Sequence, residues 1–451
     1  MQTADKQAAS IDDRRSFAGH GRQMSYLAIS ALTPHPNNVR KHTGAQIRAI
    51  AKSIETFGFA APILADKDGY ILAGNARYLA ADALGLTEVP VIFLDDLTET
   101  QAKAYMLADN KLTDRSTWDE PKLAVQLKEL SDLALDFDIE ATGFEAPEID
   151  FRIQSLEDAF DQDDEFRIST ESAVSIAGDV WCLGDHRVYC GTALDPASYA
   201  ILFEGRQATT VFTDPPYNVK INGNAAGHGK TSYREFAMAV GEMSDVEFTD
   251  FLNTALSNAS SNVVPGGLIY ACMDWRHMEE ILAAARSSTL DLVNLCVWVK
   301  PNGRLGSFYK SRHELVFVFK SGKGAHQNNI QLGKFGRNRT NVWHYSTVRN
   351  FSRNATSTDT GRHPTVKPLL MVSDAILDCT QRNDIVLDPF LGSGTTLLAA
   401  ERTGRRCFGI ELDPIYLDTA IERWQRMTGH HALSPLGETF EFIKAKRRAR
   451  P

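Results

Sequence analysis

Two short stretches carry residue types that do chemistry together. In VFTDPPYNVK (211–220) an apolar strand pattern ends on Asp214, followed by Pro215, Pro216 and Tyr217. The tetrapeptide offers a carboxylate acceptor, a backbone stiffened by two fixed φ angles, and an aromatic face. Taken alone, an Asp-capped proline turn is the commoner meaning of such a run. In DIVLDPFLGSGTTLLAAERTG (384–404) a short apolar strand leads into a loop and then a helix. Gly392 and Gly394 let that loop turn tightly and approach a ligand. The helix start offers unpaired N–H groups to an anion. The next strand, RCFGIELDPIY, ends on Glu411, placed to grip ribose hydroxyls. Strand, glycine loop, helix, strand and terminal acid in that order point to nucleoside binding over a plain structural turn. The loop is neither a Walker A motif, since no Gly-Lys-Ser/Thr follows, nor a GxGxxG fingerprint.

These stretches need a sheet to hold them. Residues 171–430 alternate strand-like and helix-like segments, the pattern of an α/β domain with a mainly parallel sheet. A smaller α+β unit over 25–114 stands ahead of it. There GAQIRAIAKSIETFG places Ile47, Ile50, Ile54 and Phe57 on one helical face, with Gly58 as the stop. PILADKDGYILAG reads as a hairpin turning at Asp68-Gly69, followed by a short helix ending at Gly85 and the strand VPVIFL. Thr98 and Gln101 have capping-box spacing for a helix through Leu112. Residues 115–170 read as a helical connector, one helix plus an acidic linker whose run EDAFDQDDE (157–165) marks the domain boundary. Residues 1–24 read as a polar, disordered leader. Residues 431–451 read as a tail whose basic end, KAKRRARP, is mobile.

The chain of 451 residues carries 48 Lys+Arg and 57 Asp+Glu, a net charge of -9. The imbalance is local: residues 1–170 hold 17 basic and 29 acidic side chains, and the remainder 31 and 28. Within 301–350 nine Lys and Arg face one acid, Glu314. A solvated face is the ordinary meaning of such a run; contact with a phosphate backbone is the sharper one. No apolar run is long enough to span a bilayer, and the first residues lack a signal-peptide core, so a cytoplasmic location is expected. Six scattered cysteines form no CxxC pair, which argues against a zinc ribbon or disulfide frame; no metal is expected.

With DPPY elsewhere in the chain, the DPFLGSG loop resembles the cofactor loop of S-adenosylmethionine-dependent DNA amino-methyltransferases. DPPY precedes the loop, as in the circularly permuted β group of that Rossmann-like fold. GDVWCLGDHRVYCGTALD (178–195) resembles the group's entry segment, and SRHELVFVFKSG (311–322) and HPTVKP (363–368) also match. Where the group often has Gly-Asp after Cys-Gly, this chain has Thr192, so that acid is absent or displaced to Asp195. The resemblance implies transfer of a methyl group from S-adenosyl-L-methionine to an exocyclic amine of a flipped base. Asp214 and the Pro215 carbonyl would accept from the amine, Pro216 would hold the turn rigid, and Tyr217 would stack on the base. Asp388, Phe390, Gly392, Gly394, Thr395 and Glu411 would line the cofactor site. His363, Thr365 and Lys367 would lie by its methionine end, Lys367 pairing with the carboxylate. Trp298 and Lys300 in VWVKPNG match a family strand, with a core tryptophan as the alternative. The Gly- and Asn-rich run 218–236 would close over DNA, and recognition would fall to about 323–361.

ILAGNARYLAADALGLTEVPVIFL (71–94) resembles the ParB-like N-terminal domain found fused to phage-type DNA methyltransferases. Gly74, Asn75 and Arg77 match its nucleotide-phosphate box in part, with Tyr78 where a second arginine stands. The combined expectation is an enzyme acting on N6 of adenine in double-stranded DNA, with N4 of cytosine as the alternative. A ParB-like binding protein with an inactive catalytic domain is the rival from another class. Pairing into a homodimer and a companion restriction enzyme are left open.

Overall fold

The computed structural model describes residues 22–113, 118–133, 135–157, 172–219, 241–304, 308–331, 339–345 and 366–448. The chain divides into two compact units between Glu145 and Ala146. No helix among the described residues is long and apolar enough to cross a membrane.

In the first unit, β1 (Met24–Ala28), β2 (Thr33–Pro34), β3 (Ile63–Ala65), β4 (Tyr70–Ala73) and β5 (Glu88–Phe93) form one mixed sheet in the order β1-β5-β3-β4-β2. Leu32, Ile63, Ile71, Val89 and Val91 fill its core. The helix Gly44–Phe57 is capped by the Thr43 side chain, which accepts from the Gln46 N–H, and stops at Gly58 as expected. Its apolar stripe buries no residue fully, and Phe57 instead meets Phe137 edge-on. The Thr98–Gln101 capping box is formed in both directions, at the start of Glu99–Thr113.

Where one helix plus a connector was expected, there are two helices, Glu120–Asp132 and Ala146–Glu157. The second packs with the larger unit. Its buried Asp150 is 2.8 Å from Arg405 and 3.1 Å from Arg382, and an isolated buried carboxylate would be costly without those cations. Most of the acidic run 157–165 lies outside the described residues.

The second unit is built on nine strands: β6 (Val180–Leu183), β7 (His186–Cys190), β8 (Ala208–Thr213), β9 (Val263–Met273), β10 (Asp291–Arg304), β11 (Ser311–Lys320), β12 (Val342–His344), β13 (Ile385–Asp388) and β14 (Arg406–Glu411). Their order is β12-β10-β11-β9-β8-β13-β14-β7-β6. The central run from β9 through β7 is parallel, and antiparallel strands flank it. Successive strand residues point to opposite faces. Phe212, Val386 and Cys407 therefore enter one core layer, while Val211, Leu387 and Phe408 enter the other. A sheet covered on both faces explains why these strands read as unbroken apolar runs.

The expected mobile tail is folded in its described part. Phe440–Arg448 is a helix whose Phe440 is buried edge-on against Trp181. Arg447 donates to Asp179 and to the Val174 carbonyl. The basic run reads as solvated in sequence because its anchors, Phe440 and Ile443, are few.

Candidate active site

β8 and β13 are neighbours and parallel, although DPPY and DPFLGSG lie far apart in sequence. Two parallel neighbours end on the same edge of a sheet, so the loops after Thr213 and Asp388 emerge side by side. Ligands of open α/β sheets bind at the carboxyl ends of strands. β14 adds Glu411 on the same edge, paired in register with Cys190 of β7.

Asp214 sits in a cluster of opposed charges. Its Oδ2 accepts from Lys367 Nζ at 2.5 Å. The Tyr217 hydroxyl lies 2.6 Å from Asp214 Oδ1 and 2.7 Å from Glu314 Oε1. Its single proton serves one carboxylate at a time. Glu314 Oε1 is 2.8 Å from Lys367 Nζ, and Oε2 accepts from Lys300 Nζ at 2.6 Å. Lys300 also lies 4.6 Å from the centre of the Trp298 ring. Two carboxylates and two ammonium groups thus balance in a partly buried site.

The protonation states follow from that balance. Burial pushes the Asp214 carboxyl up, the Lys367 ammonium opposes the rise, and the Glu314 charge adds to it. For Glu314 burial also favours the neutral form, but Lys367 and Lys300 outweigh it and hold the carboxyl at about 2. Burial alone would neutralise Lys367, yet its two carboxylate partners keep it firmly protonated. Asp214, Cys272 and Glu314 bring their ligand atoms within 4.8 Å of one another, a spacing that suits a metal ion. The Lys367 ammonium already lies against both carboxylates and supplies that positive charge.

The glycine loop is held by its own carboxylates. Asp388 accepts from the Phe390 N–H at 3.1 Å and from the Thr396 hydroxyl at 2.6 Å. Glu411 accepts from the Gly392 N–H at 2.7 Å and the Asp413 N–H at 2.8 Å. Burial pushes both the Asp388 and Glu411 carboxyls up to about 7, against the pull of these donors. Gly394 has φ of 87°, and a Cβ there would lie 2.6 Å from that of Ala420. It precedes the helix Thr395–Arg402, which no side chain caps. Open space beside Gly392 and an uncapped helix start fit a nucleoside cofactor with a charged tail.

Other expected residues are placed as follows. Pro215 is buried, and with Thr213, Leu252, Pro389 and Phe390 it lines a small apolar pocket. Phe390 packs 5.8 Å from Phe251, so its ring joins the protein core. Thr395 is buried at the first helical position, and its neighbour Thr396 is the residue bound to Asp388. Lys367, expected beside the methionine carboxylate, is buried and lies 2.5 Å from Asp214 and 2.8 Å from Glu314. Asp195 caps the helix Pro196–Phe203 through the Ala197 N–H. Trp298 is a core residue that donates to the Tyr345 carbonyl. In the first unit, Arg77 donates to the Pro62 carbonyl. His363, Thr365, most of 218–236 and most of 323–361 lie outside the described residues.

Two residues of the site were not singled out in sequence. Glu314 was visible only as the lone acid of a basic block, on a strand otherwise apolar. Asn218, next to Tyr217, bonds Gly241 and Met243 through its side-chain amide and ties the chain ends on either side of 220–240. No spacing signal announces such a contact.

Residues 208–422 match the N6_N4_Mtase family model, described as DNA methylase. Residues 121–175 match the ParB-methyltransferase HTH domain, and 14–111 the ParB N-terminal domain. Type II methyltransferase M2.MboI of Moraxella bovis is 25% identical over 254 residues, 53% of this chain and 88% of that protein. Type II methyltransferase M2.DpnII of Streptococcus pneumoniae is 28% identical over 225 residues, 47% of this chain and 81% of that protein. The crystal structure of the M1.HpyAVI–SAM complex aligns with 52% of this chain and 97% of its own, at 21% identity and a TM-score of 0.39. The segment read as a connector thus matches an HTH domain. The larger unit is a nine-stranded mixed sheet with helices, and residues 208–422 within it match the DNA methylase model. A region similar to the N6/N4 DNA methylase model thus follows regions similar to the ParB N-terminal and ParB-methyltransferase HTH models.

Proposed function

We propose that this protein methylates N6 of a flipped adenine in double-stranded DNA. The observation that carries the reading is Asp214, a half-buried carboxylate next to the glycine loop whose charge is fixed by Lys367. An exocyclic amine is a poor nucleophile because its lone pair is delocalised into the ring. S-adenosyl-L-methionine, when bound, supplies a methyl group on a positively charged sulfur that leaves as a neutral thioether. Gly392, Gly394, Thr395, Asp388 and Glu411 would hold that cofactor on the edge of β13 and β14.

Asp214 uses one lone pair for Tyr217 and one for Lys367, and a carboxylate has about four such sites. It therefore retains acceptor capacity for an amine N–H. Holding that hydrogen localises the nitrogen lone pair and stabilises the positive charge that grows as the new bond forms. The nearby carboxylate also takes up the proton that the amine must lose. The Pro215 carbonyl offers a second acceptor on a backbone with fixed φ. Tyr217, restrained through its hydroxyl, offers its ring face to the base.

The test is tritiated methyl transfer from S-adenosylmethionine to unmethylated DNA, with nucleoside analysis, for the wild type and Asp214→Asn. N6-methyladenine from the wild type, and a loss of about 100-fold or more in the variant, is expected. N4-methylcytosine would overturn the base. Cofactor binding without transfer to any DNA would overturn the activity.

A further inference from the structure

The register of the sheet leaves one part of β10 and β11 overhanging. β9 ends at Met273, paired with Leu315, so residues 311–313 have no partner on that side. β10 continues opposite them, pairing Val299 with His313 and Arg304 with Ser311 across a register shift. Such a bulge bends a hairpin. The overhang lies on the edge where β8 delivers Asp214, because Thr213 pairs with Ala271 near the same end of β9. Glu314 and Lys300 stand at its base, inside the catalytic cluster.

Just before β11 the chain exposes two aromatic rings. Phe308 is 85% exposed and Tyr309 80% exposed, with their rings edge-to-face at 4.6 Å. Isolated exposed aromatics are unremarkable; an adjacent pair beside a reaction site is a contact surface without its partner. Lys310, Arg312 and His313 follow, all exposed, and none has an ion pair with a carboxylate among the described residues. The one acid in 301–350, Glu314, is turned inward and buried. The overhang therefore shows solvent aromatic faces and positive charge, with no carboxylate from its own segment.

We propose that Phe308 and Tyr309 form a stacking tip for DNA bases flanking the target, with Lys310 and Arg312 on the adjoining phosphates. This rests on DNA being the substrate. Aromatic faces stack on any base, and neighbouring cations follow the backbone, the combination that grips exposed bases without reading sequence. Phe308 lies six residue steps before Glu314, so the tip reaches at most about 20 Å from the cluster at about 3.3 Å per residue. That is about six base steps of 3.4 Å.

The two contributions differ in salt dependence, and this separates them experimentally. DNA affinity of the full chain is measured on long duplex DNA and on single-stranded DNA between about 50 and 200 mM salt. Phe308→Ala/Tyr309→Ala is expected to weaken binding about tenfold at every salt concentration and leave the salt slope unchanged. Lys310→Gln/Arg312→Gln is expected to lower the slope by about 2. Cofactor affinity should match the wild type in both, since the altered side chains are exposed, and so should the melting temperature of the aromatic variant; Arg312→Gln gives up one exposed bond to the Lys300 carbonyl. Wild-type DNA affinity for the aromatic double variant overturns the tip. A wild type that binds DNA but methylates none overturns the catalytic reading alone, because the binding comparison still reads out the tip.

Discussion

The Lys367 ammonium lies 2.5 Å from the Asp214 carboxylate, across 153 residues of chain, and 2.8 Å from Glu314. One buried cation thus lies against two acids, Glu314 buried and Asp214 half-buried, with Lys300 as the second cation on Glu314. Lys367→Met would leave those acids facing each other, with Lys300 reaching Glu314 alone. We expect a loss of about 3–5 kcal/mol in denaturant unfolding, the scale for breaking a buried ion pair, together with loss of methyl transfer. Wild-type stability for this variant would show that the lysine is dispensable to the cluster.

Glu314→Gln keeps the shape and removes the charge. Because Glu314 helps to raise the Asp214 carboxyl, its neutralisation lets that carboxyl fall. The acid limb of the kcat–pH profile should therefore move to lower pH, with kcat down about 10-fold or more and cofactor affinity unchanged. A lower kcat with an unmoved acid limb would assign Glu314 a purely packing role.

At Gly394 two costs coincide: φ of 87° and a Cβ position 2.6 Å from that of Ala420. Gly429 has φ of 74° and open space around it. Gly394→Ala should cost more stability than Gly429→Ala, by about 1–3 kcal/mol, and should weaken cofactor binding. Equal melting temperatures for the two variants would mean the loop relaxes freely.

Burial raises Asp388 from an ordinary 3.8 and Glu411 from 4.5, both to about 7. The folded chain then keeps protons that the unfolded chain releases between about 4 and about 7. These groups favour the folded state below about 4 and lose that contribution as pH rises to about 7. Ribose hydroxyls bind an ionised carboxylate better than a neutral one. S-adenosylmethionine affinity, measured by calorimetry, should accordingly rise through pH of about 7. Glu411→Gln should flatten that step, and an unchanged step would assign it elsewhere.

Local physics made several features legible in the sequence. Thr98–Gln101, the turn at Asp68-Gly69 and the stop at Gly58 depend on neighbours within a few residues, and each was readable. So were the two loops: Asp214 before two prolines, and Gly392 and Gly394 between a strand and a helix, are set by backbone demands at those positions. What the tertiary structure decided is pairing across distance. The adjacency of β8 and β13 brings Asp214 beside the glycine loop, and the arrival of β11 brings Glu314. Lys367 reads in sequence as a ligand for a cofactor carboxylate; that it also meets two acids of its own chain is set by the fold. Asp150, in a segment read as a connector, is likewise held by Arg382 and Arg405. In each case a charge taken out of water requires a partner, and only the assembled sheet determines which residue provides it.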